Sequence, residues 1–194
     1  FDGEDDFVLI GNNENLNLIS DEFTFMVQVR LNDNDGEGYI LSKRYFSAGS
    51  GYELRVVDNI LFAEINPGGN AVTLSCPLEN NGKLHTIIAT FKNSEFFNLY
   101  LDGELVDSFN EDNFSIPSLI NEEPLVVGEF SSMDGRVLNG SIKHISLLNA
   151  SMTALEIEDA FENEFTVFES SENLIAHYKF NAGTGETLYD HSGN

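Results

Sequence analysis

Tryptophan is absent from this sequence of 194 residues, and cysteine and basic residues are scarce. Nine Lys and Arg residues stand against 33 Asp and Glu residues, so the net charge at pH 7 is −24. This charge disfavours nucleic acids and anionic membranes as partners, because both repel it. The single cysteine, Cys76, excludes an internal disulfide, and its apolar neighbours predict a buried, unreactive thiol. No apolar run approaches the length of a membrane-spanning helix, so membrane insertion is not expected.

Alternation of apolar and polar residues is what the sequence has in abundance. In FTFMVQVRL, residues 23–31, every odd position is apolar, while Thr24, Gln28 and Arg30 occupy even positions. This period of two predicts a strand with one buried and one solvated face. The stretch HTIIATF, residues 85–91, predicts another strand in the same way.

A hairpin is predicted in FFNLYLDGELVDSF, residues 96–109. Its Asp102-Gly103 pair favours the positive φ angles of a type I′ turn. Further strands are predicted in YELRVV, ILFAEI, PLVVGEF, SIKHISLL and NLIAHYKF.

One segment has the pattern of a helix. Thr153 and Glu156 form a capping box, and apolar residues follow at helical spacing, so a short helix is expected near residues 153–162. The many short strands and the single helix predict one all-β domain over residues 1–194. The expected architecture is an antiparallel sandwich of two sheets.

Four stretches resemble, in the same order along the chain, motifs of one family. FDGEDDFVLI resembles its N-terminal strand, and NGKLHTIIATF resembles a later strand in which Leu84 stands where tryptophan is usual. LYLDGELVDSF resembles its hairpin, and LNGSIKHISLLNASMTALEI its closing strand and helix. The family is the laminin-G-like branch of the concanavalin A-like lectins and glucanases. The resemblance implies a jelly-roll β-sandwich that binds glycans or proteins outside cells, often with Ca²⁺.

The segment NLIAHYKFNAGTGETLYDHSGN, residues 173–194, resembles the strand and Asp-x-Ser-Gly-Asn loop that usually precede the FDG motif in this family. Here the segment follows the closing helix. The strand is expected to close the sheet of its own chain, to begin a following repeat, or to complete the sheet of a neighbouring copy. Each arrangement would cover an exposed sheet edge, and all three remain open at this point.

Calcium is expected at one or both of two places. In relatives, the Asp of the Asp-x-Ser-Gly-Asn loop helps to bind a structural Ca²⁺, which carries over to Asp190, with backbone carbonyls near Gly193. The second place, NDNDGEG, follows from the residues alone. There Asp33, Asp35 and Glu37 alternate on a glycine-bearing loop, which suits a hard cation or simply a solvated acidic loop. An Asp that assists the first site in relatives is replaced by Lys143-His144.

The stretch YILSKRYFSAGSGYELR, residues 39–55, contains the candidate ligand-binding residues. Sugar faces stack on exposed aromatic rings, and sugar hydroxyls bond to polar side chains. Three of the nine basic residues lie here, which suits an anionic sugar or a carboxylate of a partner; ordinary strand packing is the alternative. The loop SSMDGRVLNG, residues 131–140, is expected to line a rim. The predicted set is Tyr39, Lys43, Arg44, Tyr45, Phe46, Tyr52, Arg55, Asp134, Arg136 and Asn139.

Catalytic motifs are not evident. Laminarinase-like relatives carry Glu-x-Asp-x-x-Glu on a strand, whereas the nearest string here, EIEDAFE, has the pattern of a helix and lacks the Asp. The prediction is a non-catalytic extracellular recognition or adhesion module that is stabilised by Ca²⁺ and binds a glycan or an extracellular protein. One alternative is a structural repeat or subunit of a surface filament, sheath or large adhesin that binds copies of itself by strand donation. The other is a glycoside hydrolase or lyase.

Overall fold

The computed structural model describes residues 1–18, 21–32, 36–44, 49–79, 82–110, 115–162, 166–183, 185 and 187–193. These residues form two antiparallel sheets of six strands each, which confirms the predicted fold class. The strands are β1 (Val8–Gly11), β2 (Glu22–Leu31), β3 (Glu37–Arg44), β4 (Ser50–Val57), β5 (Ile60–Pro67), β6 (Val72–Pro77), β7 (His85–Lys92), β8 (Phe96–Leu101), β9 (Glu104–Phe109), β10 (Leu125–Val127), β11 (Gly140–Leu148) and β12 (Leu174–Lys179). The helices are α1 (Ala154–Glu162) and α2 (Thr166–Glu169), and a 3-10 turn spans Glu14–Asn17. None of the helices described is long and apolar enough to cross a membrane.

The first sheet has the strand order β1-β10-β3-β4-β5-β6. On β4 and β5, every second side chain is apolar and fully buried, as for Leu54 and Ala63. The residues between them, such as Glu53 and Glu64, point to the opposite face, because successive side chains of a strand alternate. The buried residue Cys76 belongs to the apolar face of β6.

The second sheet has the order β12-β11-β2-β7-β8-β9. The strand β12 pairs antiparallel with β11 of the same chain, with Tyr178 opposite Ile145 and Lys179 opposite His144. The described chain thus has its late strand at the edge of its own sheet. The following repeat and the strand donated to a neighbour stay hypotheses.

Local sequence signals for the hairpin and the helix are confirmed. Asp102 and Gly103 have φ angles of 51° and 87°, as the type I′ turn between β8 and β9 requires. At the start of α1, the Thr153 N–H donates to Glu156 Oε2 at 2.7 Å, and the Glu156 N–H donates to Thr153 Oγ1 at 3.3 Å. The second helix, α2, was not predicted.

The prediction that β2 is solvated on one face is wrong. Thr24 and Gln28 are buried, and only Arg30 among the polar positions is exposed. The chain that leads into α1 covers this face: Thr24 Oγ1 donates to the Ala150 carbonyl at 2.8 Å, and Met152 N–H donates to Thr90 Oγ1 at 2.8 Å. An apolar cluster continues the contact, formed by Met26, Ile88, Tyr100, Leu148, Met152, Ile157, Ala160, Phe168 and Leu174.

Candidate functional site

A cluster of arginines and acidic residues lies on the polar face of the first sheet. We call it the arginine–glutamate face and define it as Glu37, Tyr39, Arg44, Glu53, Arg55, Glu64, Asp134 and Arg136. Strand register assembles its centre, because Glu53 of β4 lies directly opposite Glu64 of β5. Two like charges side by side would repel each other, so this arrangement requires nearby cations.

Two arginines compensate the central glutamates. Arg44 Nη1 contacts Glu64 Oε1 and lies 3.2 Å from Glu53 Oε1. Arg55 Nη1 contacts Glu53 Oε1 and lies 3.2 Å from Glu64 Oε2. Each guanidinium therefore bridges both carboxylates, which fixes all four side chains relative to one another.

Burial of this centre is nearly complete on the acidic side and partial on the basic side. The Glu53 side chain is 1% exposed, whereas those of Arg44 and Arg55 are 18% and 19% exposed. Burial raises the pKa of Glu53 above its ordinary value, against the opposing effect of the two arginines. Burial alone would lower the pKa of Arg55, but the carboxylates of Glu53 and Glu64 raise it.

The hydrogen bonding of the centre is incomplete. Glu53 Oε2 and Arg44 Nε are buried and have no hydrogen-bond partner among the described residues. A buried polar atom without a partner costs about 1–3 kcal/mol. The unpaired Glu53 Oε2 and Arg44 Nε therefore lower the stability of the fold, so stability alone does not explain this arrangement.

A stacked arginine forms the second part of the face. The Arg136 guanidinium lies 4.2 Å from the ring centroid of Phe130 and 5.0 Å from that of Tyr39. Asp134 accepts two hydrogen bonds from Arg136, at 2.9 and 2.7 Å. Stacking and bidentate pairing hold the guanidinium in one orientation.

Glu37 joins the two parts. Its carboxylate lies 3.4 Å from Arg55 Nε and 3.4 Å from Arg136 Nη1, and it accepts a hydrogen bond from the Tyr39 hydroxyl at 3.0 Å. A β-bulge between Tyr39 and Leu41 turns Tyr39 to this face, opposite Arg55. Glu37, Asp134 and Arg136 are each partly exposed, so this end of the face is open to solvent.

The structure brings five of the predicted ligand-binding residues into this face: Tyr39, Arg44, Arg55, Asp134 and Arg136. Tyr45 and Phe46 lie outside the described residues, as do Asp33 and Asp35 of the predicted metal loop. The exposure expected for Tyr39 is wrong, because the Arg136 guanidinium and the Phe130 ring both lie against its ring.

Lys43, Tyr52 and Asn139 lie outside the arginine–glutamate face. Lys43 and Tyr52 point to the apolar face, since they alternate with Arg44 and Glu53, and both side chains are fully buried. The Tyr52 hydroxyl donates to the Leu16 carbonyl, and Lys43 Nζ donates to the Glu123 carbonyl at 2.7 Å. Asn139 instead accepts a hydrogen bond from Asn32 and pairs with Asp2.

Glu53 and Glu64 were not predicted, although the sequence contains a signal for their position. Asp58 and Asn59, between β4 and β5, have φ angles of 48° and 63° and form a two-residue turn. Asp-Asn between two apolar-alternating stretches favours such a hairpin. Its register, counted from Val57 opposite Ile60, places the two glutamates side by side.

The predicted calcium loop has its carboxylate already engaged. Asp190 Oδ1 accepts hydrogen bonds from the His177 N–H at 3.0 Å and the Ser192 N–H at 2.8 Å, which shapes the loop that leads to Gly193. No group of three potential ligands in the described part of the chain includes Asp190. Glu37, from the other predicted site, is paired with arginines. Calcium at Asp190 and Gly193 stays a prediction.

A group of acidic residues that was not predicted as a site lies in the N-terminal motif. The carboxylates of Asp2, Asp5 and Asp6 are exposed and lie within 4.8 Å of one another. Exposed carboxylates often cluster without an ion, and the contacts of this group are local: the Asp2 N–H donates to Asp6 Oδ2 at 3.1 Å. We therefore assign no metal site to these three residues.

A serine–histidine–glutamate arrangement lies in the second sheet. Ser146 Oγ lies 2.8 Å from His177 Nδ1, and Glu169 Oε1 lies 3.7 Å from His177 Nε2. Hydrolases use these residue types for nucleophilic catalysis. Here both Ser146 and His177 are buried, so a substrate has no access to the hydroxyl. The contact instead joins the neighbouring strands β11 and β12.

Comparison with known proteins identifies the family. The family description "Concanavalin A-like lectin/glucanases superfamily" matches residues 2–158. The chain belongs to this superfamily. No curated protein sequence matches the chain.

Solved structures share the fold at low sequence identity. A Bacteroides ovatus protein assigned to carbohydrate binding superimposes with a TM-score of 0.72 at 15% identity, covering 96% of this chain and 53% of that protein. The CBM40 of Ruminococcus gnavus IT-sialidase, solved with α2,3-sialyllactose, gives 0.63 at 15% identity, with coverages of 74% and 84%. The botulinum neurotoxin serotype D binding domain gives 0.65 at 12% identity, with coverages of 84% and 41%. The superfamily member described here thus spans about half or less of two of these three structures.

Proposed function

We propose that this domain is a non-catalytic carbohydrate-binding module and that the arginine–glutamate face is its binding site. The observation that carries the proposal is the fixed, partly exposed array of guanidinium donors and carboxylate acceptors that Arg55, Glu37 and Arg136 form. Membership of a lectin and glucanase superfamily and structural neighbours that bind sugars support it.

The chemistry of the face suits sugar hydroxyls. A hydroxyl donates one hydrogen bond and accepts others, so it is best held between a carboxylate and a guanidinium. Glu37 and Arg136 offer this combination where the face is open to solvent. Their mutual contacts hold them in place before a ligand arrives, which reduces the entropy lost on binding. The Phe62 ring is partly exposed and adds an apolar surface. Its centroid lies 5.1 Å from Cζ of the Arg55 guanidinium.

A glycan array with the purified domain, followed by calorimetry on the strongest hit, tests this function. We expect Arg136→Ala to weaken binding at least about tenfold, because it removes the exposed donors of the face. Arg30→Ala, which removes an exposed arginine from β2 of the second sheet, is the matched control and should bind like the wild type. Absence of any glycan hit with correctly folded protein would exclude the proposal.

We also propose that the module works outside the cell, where its sugar ligands are displayed, and that Ca²⁺ binds at the Asp190 loop. One Asp190 oxygen is held by backbone N–H groups, which leaves the second oxygen and nearby carbonyls for a cation. We expect Ca²⁺ to raise the melting temperature of the EDTA-treated protein, and Asp190→Asn to abolish that rise. Asp107→Asn, on β9, is the control for a non-specific charge effect. Equal melting curves with Ca²⁺ and with EDTA would contradict the site.

A further inference from the structure

The arginines of the proposed site are neutralised before any ligand binds. Arg44 and Arg55 share Glu53 and Glu64, and Arg55 also contacts Glu37. Arg136 is paired with Asp134 and with Glu37. The face therefore holds four carboxylates against three guanidinium groups, which leaves one net negative charge. This balance differs from that of an anion site, where the arginines remain available to the ligand.

A carboxylate-bearing sugar would have to displace a protein carboxylate from its arginine. At the centre of the face the displaced group would remain in place, because Glu53 and Glu64 are buried on paired strands. At the open end Glu37 is held by Arg55 Nε and by the Tyr39 hydroxyl as well as by Arg136, so it would also stay beside the ligand. Two carboxylates would then share one guanidinium, and like charges at such distances repel strongly. The net charge of −24 adds a repulsive field on the approach.

An uncharged sugar meets no such barrier. Two adjacent hydroxyls present both donors and acceptors, and they bridge a guanidinium and a carboxylate without breaking the pair. The open end of the face offers this pattern, where Arg136 Nη1 lies 3.4 Å from Glu37 Oε2 and Nη2 lies 2.7 Å from Asp134 Oδ2. Donors and acceptors thus alternate along the part of the face that solvent reaches.

We infer that the arginine–glutamate face selects uncharged, hydroxyl-rich sugars and rejects sialic acids and uronic acids. The inference rests on the proposed carbohydrate-binding function and deepens it. It sets this domain apart from its structural neighbour that was solved with α2,3-sialyllactose. Selectivity here comes from the carboxylates that occupy the arginines, not from a lack of arginines.

Matched pairs of neutral and anionic glycans test the inference. The probes are lactose against α2,3-sialyllactose, and methyl-esterified against de-esterified galacturonan, along with a general array. We expect every hit of the wild-type domain to be neutral, and each anionic partner of a hit to bind at least about tenfold more weakly. Hits among anionic glycans would overturn the inference and leave the carbohydrate-binding function intact. No hits at all would overturn the function itself.

A charge-reversal pair of variants tests the mechanism. Glu37→Gln with Asp134→Asn keeps the shapes of the side chains and changes the face from one net negative to one net positive charge. Glu104→Gln with Glu158→Gln removes the same total charge from exposed positions of β9 and α1. We expect the double variant on the face to raise the ratio of anionic to neutral glycan affinity by at least about tenfold relative to the control double variant.

Equal ratios in the two double variants would overturn the inference, because the selectivity would then follow the charge of the whole molecule. Circular dichroism melting curves establish that both variants are folded. If the double substitution on the face unfolds the domain, the single variant Glu37→Gln makes the same comparison against Glu104→Gln. Glu37 is partly exposed, so its amide is expected to be tolerated.

Discussion

The polar face of the first sheet and the helix-covered face of the second sheet differ in how their side chains are buried. On both, strand alternation favours polar residues that face solvent, and on both the strand residues are largely buried. Around Met26 and Ile88 the second sheet is covered by apolar contacts from α1. Around Glu53 and Glu64 the first sheet instead buries charges that pair with one another.

This difference supports the proposal that the arginine–glutamate face serves binding. Burial of apolar side chains stabilises a fold directly. Buried ion pairs contribute little net stability, and loss of one partner is strongly destabilising because it leaves a buried charge uncompensated. Glu53 keeps a buried oxygen without a partner among the described residues, but so does Gln28 on the second sheet. The feature that distinguishes the first sheet is therefore its buried charge, which packing does not require. Departures of this kind from locally consistent structure are expected at functional sites.

The largest expected effect comes from breaking the ion pairs. Arg55→Ala leaves Glu53 and Glu64 with Arg44 as their remaining guanidinium partner, and we expect a loss of about 3–5 kcal/mol in the free energy of unfolding. Urea unfolding measures it, with Arg30→Ala as the control, which should change stability by less than about 0.5 kcal/mol. A change below 1 kcal/mol for Arg55→Ala, on the order of a surface substitution, would mean that the pairs are solvated and the contrast between the faces is false.

The helix-covered face should lose stability without losing function. Ile157→Ala removes a buried side chain of α1, and we expect a loss of about 2–4 kcal/mol in the free energy of unfolding. Glycan affinity measured below the unfolding transition should stay within about twofold of the wild type. Leu155→Ala, at a position of α1 that is 76% exposed, is the control. Loss of glycan affinity in folded Ile157→Ala protein would show that the two faces are not functionally separate.

Sequence patterns predicted the secondary structure well and the orientation of side chains less well. The turn at Asp102-Gly103 and the capping box at Thr153 are local, so three or four residues determine them. The bulge beside Tyr39 is not local in this sense. It depends on the pairing of β3 with β4 and changes which face each residue of β3 occupies.

The candidate site was therefore found in part. Arg44 and Arg55 were predicted from the concentration of basic residues, but Lys43 and Tyr52 were predicted with them and lie on the opposite face. Composition identifies the segment that contains the site. Only the strand register determines which of its side chains share one face of the sheet. The burial of Thr24 was beyond prediction for a related reason, because the segment that covers it lies more than a hundred residues further along the chain.

The smallest expected effect is the loss of stability at acidic pH that the buried His177 of the second sheet causes. Burial lowers the pKa of His177 below its ordinary value, and Lys179 and His191 act in the same direction while Glu169 and Asp190 oppose them. As pH falls through about 6.5, the unfolded chain binds a proton that the folded protein does not yet accept. Stability is therefore lost as pH falls from 6.5 toward the folded pKa, with a slope of up to about 1.4 kcal/mol per pH unit for this group.

Urea unfolding at pH 7.5, 6.5 and 5.5, values that bracket the ordinary histidine pKa of about 6.5, measures this slope. We expect His177→Gln to flatten it, since the variant has no group to protonate at this position. His144 also has a pKa lowered by burial, with further lowering by Lys143, so His144→Gln should flatten the slope in the same sense. An unchanged slope in both variants would mean that neither histidine causes the acid sensitivity.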